Sequence, residues 1–257
     1  MIGVGGDGIV SAAEALPGRA EAMRTPEAHY VLRPNRMTAP WPEGHEVAVI
    51  ASGCFWGSEK GAWRIPGVYS TAVGYVGGHT KNPTYEEACS GRTGHTEGCV
   101  RVIYDPKIVS FADLLAMHWT SHDPTQGDGQ GNDRGTQYRS GLYCSTDEQL
   151  KMARDSREAY QGALRAAGKN REITTEIKGP GDTFYFAEDY HQQYLAKPGS
   201  RKYCSAEPTG VPMPTAWLKA NGGKFGPGFW AKYGPKPGCT IGVPDAQVSL
   251  DAALEAK

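Results

Sequence analysis

Residues 46–52, EVAVIAS, form a continuous run of strand type that passes across a single glycine into CFWGSEKGAWR, residues 54–64. A run this apolar must be buried on both faces or nearly so. The segment after it reads as a helix with Trp56 and Trp63 seven apart on one face, ended by Pro66 and Gly67. The alternation of strand and helix then continues. STAVGYVG (70–77) and CVRVIYD (99–105) read as strands, separated by a long glycine- and threonine-rich stretch up to Gly98. Ser110 and Asp113 form an N-cap with an acidic residue three on, opening the helix FADLLAMHWTS, which Asp123-Pro124 stops. QYRSGLYCS is a fourth strand. Thr146 and Gln149 open a long helix that reaches Gly168, and EITTEIK (172–178) alternates again. This order predicts an α+β fold, a ferredoxin-like two-layer plait with a split βαβ core.

Flanking segments differ from that core. Residues 1–45 are polar, carry prolines 34, 40 and 42, and read as an N-terminal arm. Residues 46–197 read as the catalytic domain. From Pro198 to Pro244, seventeen of forty-seven residues are proline or glycine. Trp217, Phe225, Phe229, Trp230 and Tyr233 nevertheless make this tail too aromatic for a free linker. Residues 198–257 are therefore expected to be an irregular segment pinned to the body by its rings.

Charges nearly cancel, 27 basic against 28 acidic, and no basic block marks a nucleic-acid or membrane surface. No apolar run approaches the length needed to span a bilayer. The N-terminus has no basic stretch leading into an apolar one, and Asp7, Glu14 and Glu21 speak against a transit peptide. A monomeric, cytoplasmic protein is the expectation, with an organellar location left open. The six cysteines (54, 89, 99, 144, 204, 239) are widely spaced and include no CxxC pair. Cys89, His95 and Cys99 lack the close pairing of structural zinc sites, so Cys89, Cys99 and Cys144 read as small buried hydrophobes.

Cys54 stands apart from these. It sits between Gly53 and Gly57, at the tip of a helix whose unpaired amides favour an anion and so a nucleophilic thiolate. Spacing alone equally allows a buried inert thiol. Phe55 and Trp56 could wall an apolar pocket beside it or simply pack in the core. His191, in EDYHQQY, keeps a cysteine–histidine hydrolase open, and a non-catalytic thiol or metal-binding module is the other alternative.

Four segments share a wider resemblance: GCFWG, GYVGGHTKNPTYEEACSGRTGHTEGCVRVIYDP (74–106), HDPTQGDGQGNDRGTQYRS (122–140) and FAEDYHQQYLAKPG (186–199). In this order they resemble the A-type peptide methionine sulfoxide reductases, from about Val47 to Cys204. The resemblance implies reduction of methionine S-sulfoxide, in proteins and as the free amino acid, with Cys54 as nucleophile. It implies Glu97 as the acid that protonates the departing oxygen. It gives Tyr85 and Tyr138 as phenols that hold that oxygen, Asp133 as a carboxylate ordering a water, and Phe55 with Trp56 as the methyl pocket. Cys204 matches the resolving cysteine that condenses with a Cys54 sulfenic acid. No bound cofactor is implied, because electrons arrive as thiols from thioredoxin or another dithiol. The chain departs from many relatives by running about fifty residues beyond Cys204. Its next cysteine, Cys239, could relay the disulfide or be incidental.

Overall fold

The structure, a computed structural model, describes residues 8–234 and 242–256. At its centre strand β1 (Glu46–Ser52) pairs antiparallel with β3 (Thr96–Tyr104) on one side and β6 (Ser140–Tyr143) on the other. β2 (Val68–Val76) lies antiparallel outside β3, and β8 (Tyr185–Phe186) closes that edge. β7 (Glu176–Lys178) runs parallel to β6 at the opposite edge, giving the order β7-β6-β1-β3-β2-β8. Helix α1 (Phe55–Trp63) joins β1 to β2, and α3 (Phe111–Ser121) lies between β3 and β6. The fold is thus α+β, with a mixed sheet.

Local chemistry explains the elements. β1 and β3 carry the buried Ala48, Ile50, Val100 and Val102 into the main core, as central strands require. Both halves of a capping box hold the start of α3, through Ser110 and Asp113. α4 (Asp147–Ala166) buries Gln149, Ala153, Ser156, Tyr160 and Leu164 at helical spacing. It meets α3 where Trp119 stacks on Tyr160 and donates its indole N–H to Ser156 Oγ at 2.9 Å.

Two readings of the sequence change. The glycine- and threonine-rich stretch before Gly98 contains a short helix, α2 (Tyr85–Cys89), made possible by a complete capping box of Thr84 and Glu87. Of the alternating segment 172–178 only β7 pairs, because the Ile173 and Thr174 amides bond instead to Gln161 Oε1 and the Pro124 carbonyl. A two-residue hairpin pair, β4 (Gly129–Gln130) and β5 (Asp133–Arg134), also forms within the loop after α3.

The flanking segments bind the body through polar anchors. Arg19 donates to the Asn82 carbonyl (2.7 Å) and to Glu87 (2.6 Å), so the N-terminal segment clamps the loop that carries α2. The tail is less irregular than expected: it forms α5 (Thr215–Ala220), α6 (Pro227–Tyr233) and α7 (Leu250–Glu255). Within it Phe225 and Phe229 are buried and stacked at 4.4 Å. The Asp113 carboxylate also accepts the Lys224 and Phe225 amides, and Gln247 donates to the Trp63, Ile65 and Val68 carbonyls. Among the described residues no helix is long and apolar enough to cross a membrane.

Candidate active site

β1 ends at Ser52, Gly53 turns with φ +87°, and Cys54 becomes the N-cap of α1. A side chain at Gly53 would be strained by that φ and would meet Gln130 at 2.6 Å. Across the turn, a Cβ at Gly98 would fall 2.0 Å from the Gly53 carbonyl oxygen. The strand that carries Glu97 and Gly98 therefore presses backbone to backbone against the turn that carries Cys54. Two glycines bring the thiol and the carboxyl into one site. Gly98→Ala should force them apart, and displacements near 1 Å cost about a hundredfold in rate. Steady-state turnover of a methyl sulfoxide, with circular dichroism as a folding control, tests this; near-normal turnover would mean the contact is not needed.

Cys54 is 8 % exposed, and burial pushes its thiol well above the ordinary range, with the nearby Glu97 and Asp133 carboxylates adding to the effect. The Trp56 amide at the helix tip works in the opposite direction but is outweighed. The helix tip alone suggested a thiolate; desolvation instead keeps the resting group a thiol.

Glu97 is 1 % exposed, and burial first of all raises its carboxyl to about 7. Asp133 and Glu188 push the same way, while the Cys89 and Tyr138 side chains partly offset them. Burial thus favours the neutral carboxyl well above the pH at which an exposed glutamate ionises. Tyr85, at the start of α2, and Tyr138 are half-buried, and both phenols are held up by burial and then by Glu97. They remain neutral donors at any physiological pH.

Asp133 accepts hydrogen bonds from the Tyr203 hydroxyl at 2.6 Å and from Ser205 Oγ. The segment around Cys204 thus crosses the site mouth. Phe55 is buried, and its ring lies 5.0 Å from His191. Trp56 stacks on Tyr194 at 4.0 Å, meets Tyr203 edge-on, and donates its indole N–H to His191 Nδ1 at 3.1 Å. Phe55 and Trp56, directly after Cys54 in the first turn of α1, thus belong to one cluster of rings with His191, Tyr194 and Tyr203. Cys204 is disulfide-bonded, whereas Cys54, Cys89, Cys99 and Cys144 are free. Cys239 lies outside the described residues.

Sequence reasoning missed three participants. Cys89, read as a packing residue, donates its thiol to Glu97 Oε2 at 2.9 Å. Glu188 accepts the Tyr85 amide (2.8 Å) and the Tyr75 hydroxyl (2.7 Å), fixing where α2 begins. Tyr203 had no local signal beyond its place next to Cys204. Only Cys89 offered one, through its position eight residues before Glu97 in a loop rich in glycine.

The alternatives lose their geometry. His191 Nδ1 is occupied by Trp56 and Nε2 has no hydrogen-bond partner, so His191 does not pair with the Cys54 thiol as a hydrolase would need. The ring nitrogens of His95 engage the Gly78 amide and the Thr80 carbonyl, and Cys99 packs with Ala51, Val76 and Tyr143. Among the described residues no three histidine, cysteine or acidic side chains converge as a metal site.

What remains is a buried thiol, a buried carboxyl raised toward neutrality, neutral phenols and a cluster of aromatic rings. A family model described as peptide methionine sulfoxide reductase matches residues 46–214. Peptide methionine sulfoxide reductase MsrA 1 of Caulobacter vibrioides is 56 % identical over 204 residues, 79 % of this chain and 92 % of its own length. The mitochondrial peptide methionine sulfoxide reductase of Rattus norvegicus is 51 % identical over 85 % of this chain and 92 % of its own. Among solved structures, methionine sulfoxide reductase A of Corynebacterium diphtheriae superposes with a TM-score of 0.69 at 45 % identity, covering 80 % of this chain and 99 % of that one. The chain belongs to the peptide methionine sulfoxide reductase family. Its activity is the thiol-dependent reduction of methionine sulfoxide.

Proposed function

We propose that this enzyme reduces the S epimer of methionine sulfoxide, in proteins and as the free amino acid, with Cys54 as nucleophile and Glu97 as acid. The observation that carries this reading is the Gly53–Gly98 contact, which sets a neutral-leaning buried carboxyl beside the Cys54 thiol at the start of α1. Phe55 and Trp56 would receive the substrate methyl, while Tyr85 and Tyr138 donate to the sulfoxide oxygen. Asp133 would accept an ordered water once Tyr203 and Ser205 withdraw. The Cys54 sulfur attacks the substrate sulfur as Glu97 gives its proton to the oxygen and takes up the thiol proton in return, and the substrate sulfur–oxygen bond then breaks as the oxygen passes to Cys54. Methionine leaves, and Cys54 holds the oxygen as a sulfenic acid.

Cys204 then attacks that sulfenic sulfur, forming a Cys54–Cys204 disulfide and releasing water. Thioredoxin, or another dithiol, returns the two electrons by exchange. A disulfide at Cys204 with Cys54 free fits a later step, in which oxidation has moved outward from the nucleophile. Cys239 is the proposed relay for that step. Residues 46–197 serve as the catalytic domain of a monomeric cytoplasmic protein. The order β6-β1-β3-β2, antiparallel throughout, supports a ferredoxin-like plait at its core.

Cys204→Ser should release about one methionine per enzyme with thioredoxin as sole reductant, and regain turnover with dithiothreitol. A rapid-quench count of product per enzyme measures it. Normal thioredoxin-driven cycling in that variant would move the resolving role to Cys239.

A further inference from the structure

The site mouth carries an exposed aromatic ring that the proposed chemistry does not use. Tyr190 is 56 % exposed, yet its ring is fixed against His191 at 4.2 Å. His191 in turn touches Tyr85 (4.6 Å), Phe55 (5.0 Å) and Trp56 (5.8 Å). Only one buried ring therefore separates the Tyr190 face from Phe55 and Trp56, which would receive the substrate methyl. Consecutive Cα atoms lie about 3.8 Å apart, so the residue beside an oxidised methionine is carried to this shelf.

Acidic and basic groups both lie near this shelf. Burial and then Glu188, Glu86 and Cys89 raise the Tyr190 phenol; Glu188 stands two residues before it, and Glu86 follows Tyr85, whose ring packs on the same His191. Glu86 is exposed on α2, and Glu188 is half-buried with its oxygens toward the Tyr85 amide and the Tyr75 hydroxyl. Nearby cations are already engaged: Arg19 with Glu87, and Lys197 with the Asp189 carbonyl and carboxylate. Among the described residues neither Glu86 nor Glu188 is in an ion pair.

We propose that Tyr190, with Glu86 and Glu188, forms a subsite for a lysine or arginine flanking the oxidised methionine in a polypeptide substrate. The ring face takes the cation by cation–π attraction, and the two carboxylates supply the surrounding negative potential. Tyr190 determines specificity and takes no part in oxygen transfer. The inference rests on the methionine sulfoxide reading above.

The test uses the full chain with dithiothreitol, which removes the resolving step from the measurement. Substrates are blocked peptides in which methionine S-sulfoxide is flanked by lysine, alanine or glutamate, together with free methionine sulfoxide. At low salt the lysine peptide should exceed the alanine peptide in kcat/KM by about threefold to fivefold, mainly through KM. Tyr190→Ala and Glu86→Gln should each narrow that ratio and leave free methionine sulfoxide unchanged. Equal kcat/KM for the three peptides in the parent enzyme would overturn the subsite. So would a loss in Tyr190→Ala that is the same for free methionine sulfoxide as for the peptides, because that pattern marks a structural role. Absence of turnover with every sulfoxide would instead overturn the reading on which the subsite rests.

Discussion

Cys54→Ser should abolish turnover, lowering the rate by at least about a thousandfold, because a serine hydroxyl neither attacks a sulfoxide sulfur nor carries its oxygen onward. The effect is the largest expected for any single replacement. Among the other described cysteines, Cys99 and Cys144 are buried elsewhere, Cys89 is bonded to Glu97 and Cys204 is in a disulfide. The substitution is small, so folding should survive and substrate should still bind. Loss of S-sulfoxide from a mixture of both epimers, followed by chromatography with dithiothreitol present, measures it. Retained reduction by the serine variant would move the chemistry to another thiol.

Glu97→Gln should separate activity from stability in opposite directions. A positioned general acid contributes about a hundredfold to ten-thousandfold, and glutamine cannot give up a proton. Single-turnover oxygen transfer should fall by that order while substrate affinity changes little. In the parent enzyme the same step should weaken as pH rises through about 7, where Glu97 loses its proton. This limb should vanish from the variant.

Stability follows from the same burial. The folded protein holds the Glu97 proton to about 7, whereas an unfolded chain releases it near 4.5. The folded state thus binds more protons between those values, and stability falls as pH rises through that window. Glutamine carries no such penalty. Glu97→Gln should therefore match the parent below pH 4.5 and exceed it by about 3 kcal/mol at pH 8, read by urea unfolding. Glu59, also buried and raised to about 7, remains as a common background in both proteins. Equal stability at pH 8 would show that Glu97 is solvated and unfit to serve as a neutral donor.

The sequence was most legible where local physics decides. β1 followed from an unbroken apolar run and α3 from the Ser110–Asp113 box. It was least legible where a partner far along the chain decides. Half of the alternating segment at 172–178 stays outside the sheet because Gln161 and Pro124 compete for its amides. α2 was hidden among glycines, although its capping box was written in Thr84 and Glu87.

By itself the sequence determined which residue types were available and in what order: a cysteine at a strand-to-helix turn, a glutamate before a glycine, aromatics beside the thiol. Their segments resembled one enzyme family, to which the chain belongs. Tertiary structure alone decided their ionisation, since desolvation depends on what the whole chain packs around a group. It made Cys54 a thiol where the helix tip suggested a thiolate, drew Cys89 into a bond with Glu97, and turned His191 toward Trp56. Each outcome depends on distances between residues remote in sequence, which no local pattern encodes.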